Sequence, residues 1–566
     1  MNKQRIVAGL ASVAMASTLV ACSGGSNSDA KTLTVSVNQS LTGQFTPQYA
    51  SSAYDQYVVN LCYESMLKYN ADNELEPELA KDLPEVSADG LTLTYKLEKG
   101  HKFSDGTEVT SKDVKFTFAT LADPSYAGPN GGGLENLVGY KEYNSGAAKE
   151  LTGIETPDDY TVVFHLVSPQ IDAIAKFGGM GITSADHYSK YKQGKVKVVE
   201  KNQEESCGSG AYQIKSYDKA SGASFVRNEE FKREKGQYQV DQIIIKKTDV
   251  TTEVSELKKG TVDLIPDVIE TNKVSEASQD KNLAFNDYSR SAVGFVAMNA
   301  NNGATADKAV RQALMYATDR QGFCDSYFGW DKKASDEVKK VKGGYVPAAY
   351  WSPASVNCGA VVRNEETIDG LNTYAFDMDK ANQVLDEAGW VRGADGIREK
   401  DGQQLSLNYT YWTDLSLAQD MALAIKTQLA EVGIDVTTTG QDQMTWWTEG
   451  VAGNYDITTW NTEGSYTEPH KFLQESLGAD PHAISLQALE DFQSYSDAVN
   501  AFSTSADPEV VQSAIATALN VSNDNVIDLP ISYSKDLVVY NSSKIAGYTF
   551  SSVPQFFEID NVQPAE

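Results

Sequence analysis

"KFSDGTEVTSKDVKFTFATLADP", residues 102–124, carries a turn, a helix start and a helix stop in one short stretch. Asp105-Gly106 marks a turn, and Thr110 followed by Asp113 has the spacing of a capping box. Val114, Phe118 and Leu121 then recur on one helical face, until Asp123-Pro124 ends the helix.

Similar signals extend in both directions. "TLTVSV" (32–37) and "LTLTYKL" (91–97) alternate as strands, and "YDQYVVNLCYESML" (54–67) reads as an amphipathic helix. Strands are predicted at "YTVVFHL" (160–166), "AYQIKSY" (211–217), "QIIIKK" (242–247) and "VDLIP" (262–266), with a short helix ending at Gly260. From residue 299 helices become more frequent. "ADKAVRQALMYATD" (306–319) and "DMDKANQVLDEAGW" (377–390) each place an apolar stripe on one face. "LSLNYTYW" (405–412), a helix over 415–432 and "IDVTTT" (434–439) make a β-α-β unit, which requires a parallel crossover. The class is α/β, and 566 residues are too many for one ordinary core.

The net charge of −30 opposes binding to nucleic acid or to anionic lipid surfaces. The N-terminus has a different character. Lys3 and Arg5 precede an apolar run from Ile6 to Val20, too short for a membrane span, which needs about 20 residues, and suited to an export signal. Leu19-Val20-Ala21-Cys22 looks like a bacterial lipobox, with Cys22 lipidated after removal of 1–21; an ordinary secretory signal is the competing reading. Residues 22–30, rich in Gly, Ser and Asn, read as a flexible tether. The expected location is extracytoplasmic, with the chain lipid-anchored to the outer face of the cytoplasmic membrane.

Four more cysteines remain, and outside the membrane an even number suggests disulfides with three possible pairings. Loop signals and nearness favour Cys324–Cys358, which leaves Cys62–Cys207; buried free thiols are the alternative. There is no CxxC spacing and no metal site is expected, nor any cofactor. GxSxG, HExxH and Walker spacings are absent from the sequence, and His101, His165, His187, His470 and His482 form no cluster along it. An enzyme is therefore not expected.

Five stretches occur in the order of one family: "FSDGTEVTSKDVKFTF" (103–118), "GSGAYQIKSY" (208–217) with "VRNEEF" (226–231), "LKKGTVDLI" (257–265), "VRQALMYATDR" (310–320) and "FDMDKANQVLDEAGW" (376–390). The chain resembles the large extracytoplasmic solute-binding proteins of the oligopeptide/dipeptide ABC importers (family 5) over residues 31–560. That resemblance implies a periplasmic-binding-protein-like fold of type II, with two α/β lobes and the ligand in the cleft between them. Lobe 1 would take 31–70, 205–298 and 530–566, with a subdomain inserted at 71–204. Lobe 2 would take 299–529, with crossings near Met298 and Leu529. The implied partners are a peptide ligand, a cognate ABC permease and its ATPase subunits, the chain itself being a monomer. The competing ligands on the same fold are nickel chelates, oligosaccharides or other solutes.

The resemblance also points to ligand residues. In "YDITTWNTEGSYTEPHKFL" (455–473), Trp460 is followed, after Asn461 and Thr462, by Glu463, where similar proteins hold the peptide's α-ammonium with an aspartate. Here the acid is one methylene longer, and the loop before Glu468-Pro469 is about two residues longer than the family's pattern. A solvated loop acid is the plainer reading of Glu463, and core packing that of Trp460. Trp446 and Trp447 wall the cleft or belong to an amphipathic core helix. On the other lobe, "LTGQF" (41–45), with Thr42, Gly43 and Phe45, follows the first strand where similar proteins approach ligand by their backbone.

Overall fold

The structure is a computed structural model that describes residues 31–70, 74–201, 203–204, 206–232, 237–268, 271–301, 303–327, 359–362, 365–413, 415–463, 481–505, 507–546 and 562–564. Cys22 with the signal and tether, Cys358, and Gly464–Asp480 lie outside the described residues.

A ten-stranded sheet runs through both lobes. Its order is Asp435–Gln441, Ser406–Trp412, Ile457–Glu463, Leu283–Met298, Asp528–Asn541, Leu264–Val268, Thr32–Val37, Gln242–Lys247, Gly222–Arg227 and Tyr212–Asp218. The outer strands on each side belong to one lobe, and the two longest, Leu283–Met298 and Asp528–Asn541, pair antiparallel and link them. Alternation along those strands feeds two cores in lobe 2. Phe295 and Ala297 join Trp446, Trp460 and Phe502, whereas Val296 and Met298 join Leu314, Leu407 and Met421.

Lobe 1 is closed by Leu33, Val35 and Val37 on the first strand, packed with Ile243 and Ile245 of its parallel neighbour and with the helix Ala53–Cys62. A four-stranded sheet, Glu85–Val86, Thr92–Lys96, Thr161–His165 and Ile154–Asp158 in order, has a separate core around Tyr95, Phe118, Phe164 and Phe177. The helix Ser111–Leu121 covers it. Its start is the capping arrangement seen in the sequence: the Thr110 N–H and hydroxyl both donate to Asp113 Oδ2, at 2.9 and 2.8 Å. Val114, Phe118 and Leu121 are the buried face.

The β-α-β unit is also present, with Ser406–Trp412 parallel to Asp435–Gln441 and the helix Ser416–Glu431 between them. The helix expected over 54–67 is shorter. It stops at Cys62, because Tyr63 is extended and the Cys62 carbonyl accepts from the Gly210 N–H. It buries Tyr54, Tyr57, Val58, Val59 and Leu61, and keeps a narrow, half-buried polar stripe at Gln56 and Asn60. Among the described residues no helix is long and apolar enough to cross a membrane.

Candidate functional site

Strand direction defines the site. Thr32–Val37, Gln242–Lys247 and Leu264–Val268 run the same way as Leu283–Met298, toward lobe 2. Ser406–Trp412, Asp435–Gln441 and Ile457–Glu463 run the opposite way, toward lobe 1. The carboxyl ends of both strand sets therefore face each other across the middle of the crossing strands. That middle is where the pairing of Leu283–Met298 with Asp528–Asn541 shifts register, between Ser289 and Val293. In open α/β sheets the crevice outside the carboxyl ends of the strands is where ligands bind.

On the lobe 2 side, the carboxyl edge is built from tryptophans. Trp460 is 4% exposed, pairs through its backbone with Phe295, and lies 4.2 Å from the Trp446 ring and 5.1 Å from the Trp447 ring, centroid to centroid. Trp446 is also buried, and its indole N–H donates to the Thr459 carbonyl at 3.0 Å. Trp447, next to it on the helix Gln443–Ala452, is 53% exposed. The three tryptophans singled out in the sequence are thus one stack, with two members in the core and one at the surface. Gly450 is required beneath it, since a Cβ there would come within 2.7 Å of the Trp460 ring. Trp412, stacked on Trp446 at 6.0 Å, is the fourth member and was not singled out by the sequence reading. Its signal was its place as the last residue of a β-α-β strand, which puts it on the carboxyl edge.

Beyond Trp460, the backbones of Asn461, Thr462 and Glu463 pair with Gly294, Val293 and Ala292, at the register shift. The side chains of Asn461, Thr462 and Glu463 lie outside the described residues.

On the lobe 1 side, the loop after the first strand is tightly held. The Thr42 N–H donates to Asp55 Oδ1 at 2.8 Å, and its hydroxyl donates to Asp55 Oδ2. Gly43 has φ +90, and a Cβ there would sit 3.2 Å from the Tyr217 ring, so the left-handed turn and the close approach both call for glycine. Tyr217 donates its hydroxyl to the Leu41 carbonyl at 2.9 Å. Burial raises the pKa of that phenol, with the Asp55, Glu204 and Asp218 charges adding to it. Phe45 is fully enclosed and meets Tyr217 edge-on at 4.8 Å. Its side chain is core, whereas Thr42 and Gln44 on either side of Gly43 are exposed.

The pairing of Cys62 with Cys207 is not present: both are buried free thiols, as is Cys324. The two lie on adjoining segments but face apart, Cys62 toward Ser206 and the Ile214 backbone, Cys207 toward Asp105 and Ser104. Burial pushes both thiols up to about 12. The Cys324 thiol donates to the Ile531 carbonyl at 3.3 Å, and its expected partner Cys358 lies outside the described residues. Among the described residues no group of three or more His, Cys, Asp or Glu side chains could hold a metal ion.

Two α/β lobes linked by a pair of long strands, with carboxyl strand ends facing across the gap, define the two-lobed solute-binding class. The chain belongs to the bacterial extracellular solute-binding proteins, family 5 Middle, which it matches over residues 74–482. It is 26% identical over 401 residues to the oligopeptide-binding protein AppA of Bacillus subtilis, an alignment that covers 70% of this chain. The chain spans about two thirds of that relative's length, 66%. The same fold is found in NikA from Brucella suis in complex with Fe(III)-EDTA, with TM-score 0.75, 21% identity and coverage of 94% of this chain and 99% of the other. It is also found in Bacillus subtilis AppA in complex with a nonapeptide, with TM-score 0.69, 19% identity and coverage of 94% and 99%.

Proposed function

We propose that this protein is the substrate-binding component of an ABC importer, which captures oligopeptides or dipeptides in the cleft and delivers them to a membrane permease and its ATPase subunits. The observation that carries this reading is the meeting of carboxyl strand ends from both lobes at the register shift of the crossing strands. Strand ends offer backbone donors and acceptors to an extended peptide without regard to its side chains. The exposed face of Trp447 supplies an apolar wall, and Glu463, at the end of its strand, is the counter-charge for a free α-ammonium. Rotation about the two crossing strands encloses the ligand. A lipid on Cys22 holds the protein, as a monomer, outside the cytoplasmic membrane. Its role is binding and delivery, not chemical conversion.

A non-peptide solute on the same fold is the competing reading, since the NikA structure shows this fold around a metal chelate. Mass spectrometry of whatever is released when the purified protein is denatured separates the two. Peptides are expected, and a chelate or sugar in their place would overturn the peptide reading while leaving the transport role.

A further inference from the structure

We propose that a cavity beside the helix Ala53–Cys62 is a second ligand site, which takes a free zwitterionic amino acid with an aromatic side chain. The cavity has a volume of about 330 Å³, within the range of small-molecule sites. Every residue that lines it lies between Pro47 and Tyr238, so the tryptophan edge of lobe 2 contributes nothing to it. Its wall includes Tyr212, the first residue of a strand parallel to Gln242–Lys247. The cavity therefore reaches the amino end of strands whose carboxyl ends face the cleft.

Three polar groups around this space suit a zwitterion. Gln56 donates its amide to Asn60 Oδ1 at 3.0 Å, and Asn60 Nδ2, which is buried, has no acceptor. Lys68, paired with Glu76 at 3.3 Å, brings positive charge to the same lining. Glu78 uses only Oε2 to accept from the Ser65 N–H and hydroxyl; among the described residues Oε1 accepts from none. Burial and the Glu64 charge raise Glu78 to about 7, and Lys68 offsets this only in part, so an ammonium beside Oε1 would supply the missing counter-charge. A ligand carboxylate would accept from Asn60 Nδ2 and face Lys68. Tyr69 and Tyr238 give the cavity its aromatic wall. Tyr238 has φ +48, uncommon for a residue with a side chain, and its ring is held edge-on by Phe231 at 5.2 Å and by Tyr212 at 6.1 Å.

Calorimetric titration of the full chain with phenylalanine, 3-phenylpropionate and phenethylamine tests this. Phenylalanine should bind the parent, and each analogue, lacking one charge, should bind more weakly. Asn60→Asp keeps the acceptor for Gln56 and turns the free donor into a negative charge; Glu78→Gln keeps the acceptor for Ser65 and removes the charge. Each should weaken phenylalanine by roughly tenfold or more. Glu78→Gln should leave 3-phenylpropionate, which brings no ammonium, little changed, and Asn60→Asp should do the same for phenethylamine, which brings no carboxylate. That pattern supports the site. No binding of phenylalanine to the parent, unchanged binding in both variants, or an equal loss of all three compounds would overturn it.

Discussion

Trp446 and Trp460 stand 4.2 Å apart, ring centroid to ring centroid, on a helix and a strand that meet at the carboxyl edge of lobe 2. Burial separates their roles from that of Trp447, which shares the stack but faces outward.

Trp460→Ala should therefore cost stability first, by about 3–5 kcal/mol, the range for removing a buried aromatic side chain. Trp447→Ala should cost about 1 kcal/mol, the value of one aromatic pair, and should weaken ligand binding more than it weakens the fold. Denaturant melts alongside calorimetric titration separate the two. Equal stability losses would mean that Trp447 is a packing residue too.

Glu463→Gln keeps the side chain's shape and removes its charge. Peptides with a free N-terminus should then bind more weakly by about 2–5 kcal/mol, as when one member of a buried charge pair is removed. N-acetylated peptides should bind poorly to the parent and lose much less on mutation, so the pair of substitutions forms a double-mutant cycle with the ligand as one partner. Equal binding of free and acetylated peptides, unchanged by the mutation, would leave Glu463 without a role in holding the ligand.

Cys22→Ala should release the protein from the membrane fraction and leave its ligand affinity as it was. Firm anchoring needs more than one acyl chain, so under the lipidation proposed for Cys22 its replacement removes the attachment as a whole. Stable retention of the variant in washed membranes would show that something else holds it.

Stability should depend on pH through the cluster of Glu64, Glu78 and His101, in which Glu64 and His101 are buried and Glu78 is half-buried. Burial and the neighbouring Glu64 charge raise Glu78 to about 7, even though it accepts hydrogen bonds from the Ser65 N–H and hydroxyl at 2.7 and 2.8 Å. Burial pulls His101 down, but its 2.9 Å contact with Glu64 more than offsets this and the net shift is upward. Both groups bind protons more tightly folded than unfolded. The stability they contribute is therefore full below pH 4.5, the ordinary Glu value, and for Glu78 is lost as pH rises toward about 7. Glu78→Gln should flatten melting temperature against pH over that window. A parallel curve for parent and variant would remove Glu78 as the cause.

What the sequence determined by itself is what neighbouring residues decide between them. The start of the helix at Thr110 and Asp113, its stop at Asp123-Pro124 and the right pairing of the β-α-β unit are local events, so their spacing alone is enough. The family likewise follows from motifs in register along the chain. What required the tertiary structure depends on partners far away in sequence. The helix from Ala53 ends at Cys62 because the Gly210 N–H, nearly 150 residues on, takes its last carbonyl into another pairing. Cys62 and Cys207 stay thiols because the directions of their side chains, not their number, decide bonding. Phe45 reads in sequence like a loop residue, and packing from residues distant in sequence, the Tyr217 ring among them, makes it core. Trp412 and Trp460 lie 48 positions apart, and it takes parallel strands with adjoining carboxyl ends to bring both beside Trp446. Local hydrogen bonds and side-chain periodicity specify elements, whereas strand order and direction, set by burial of the entire sheet, specify the cleft.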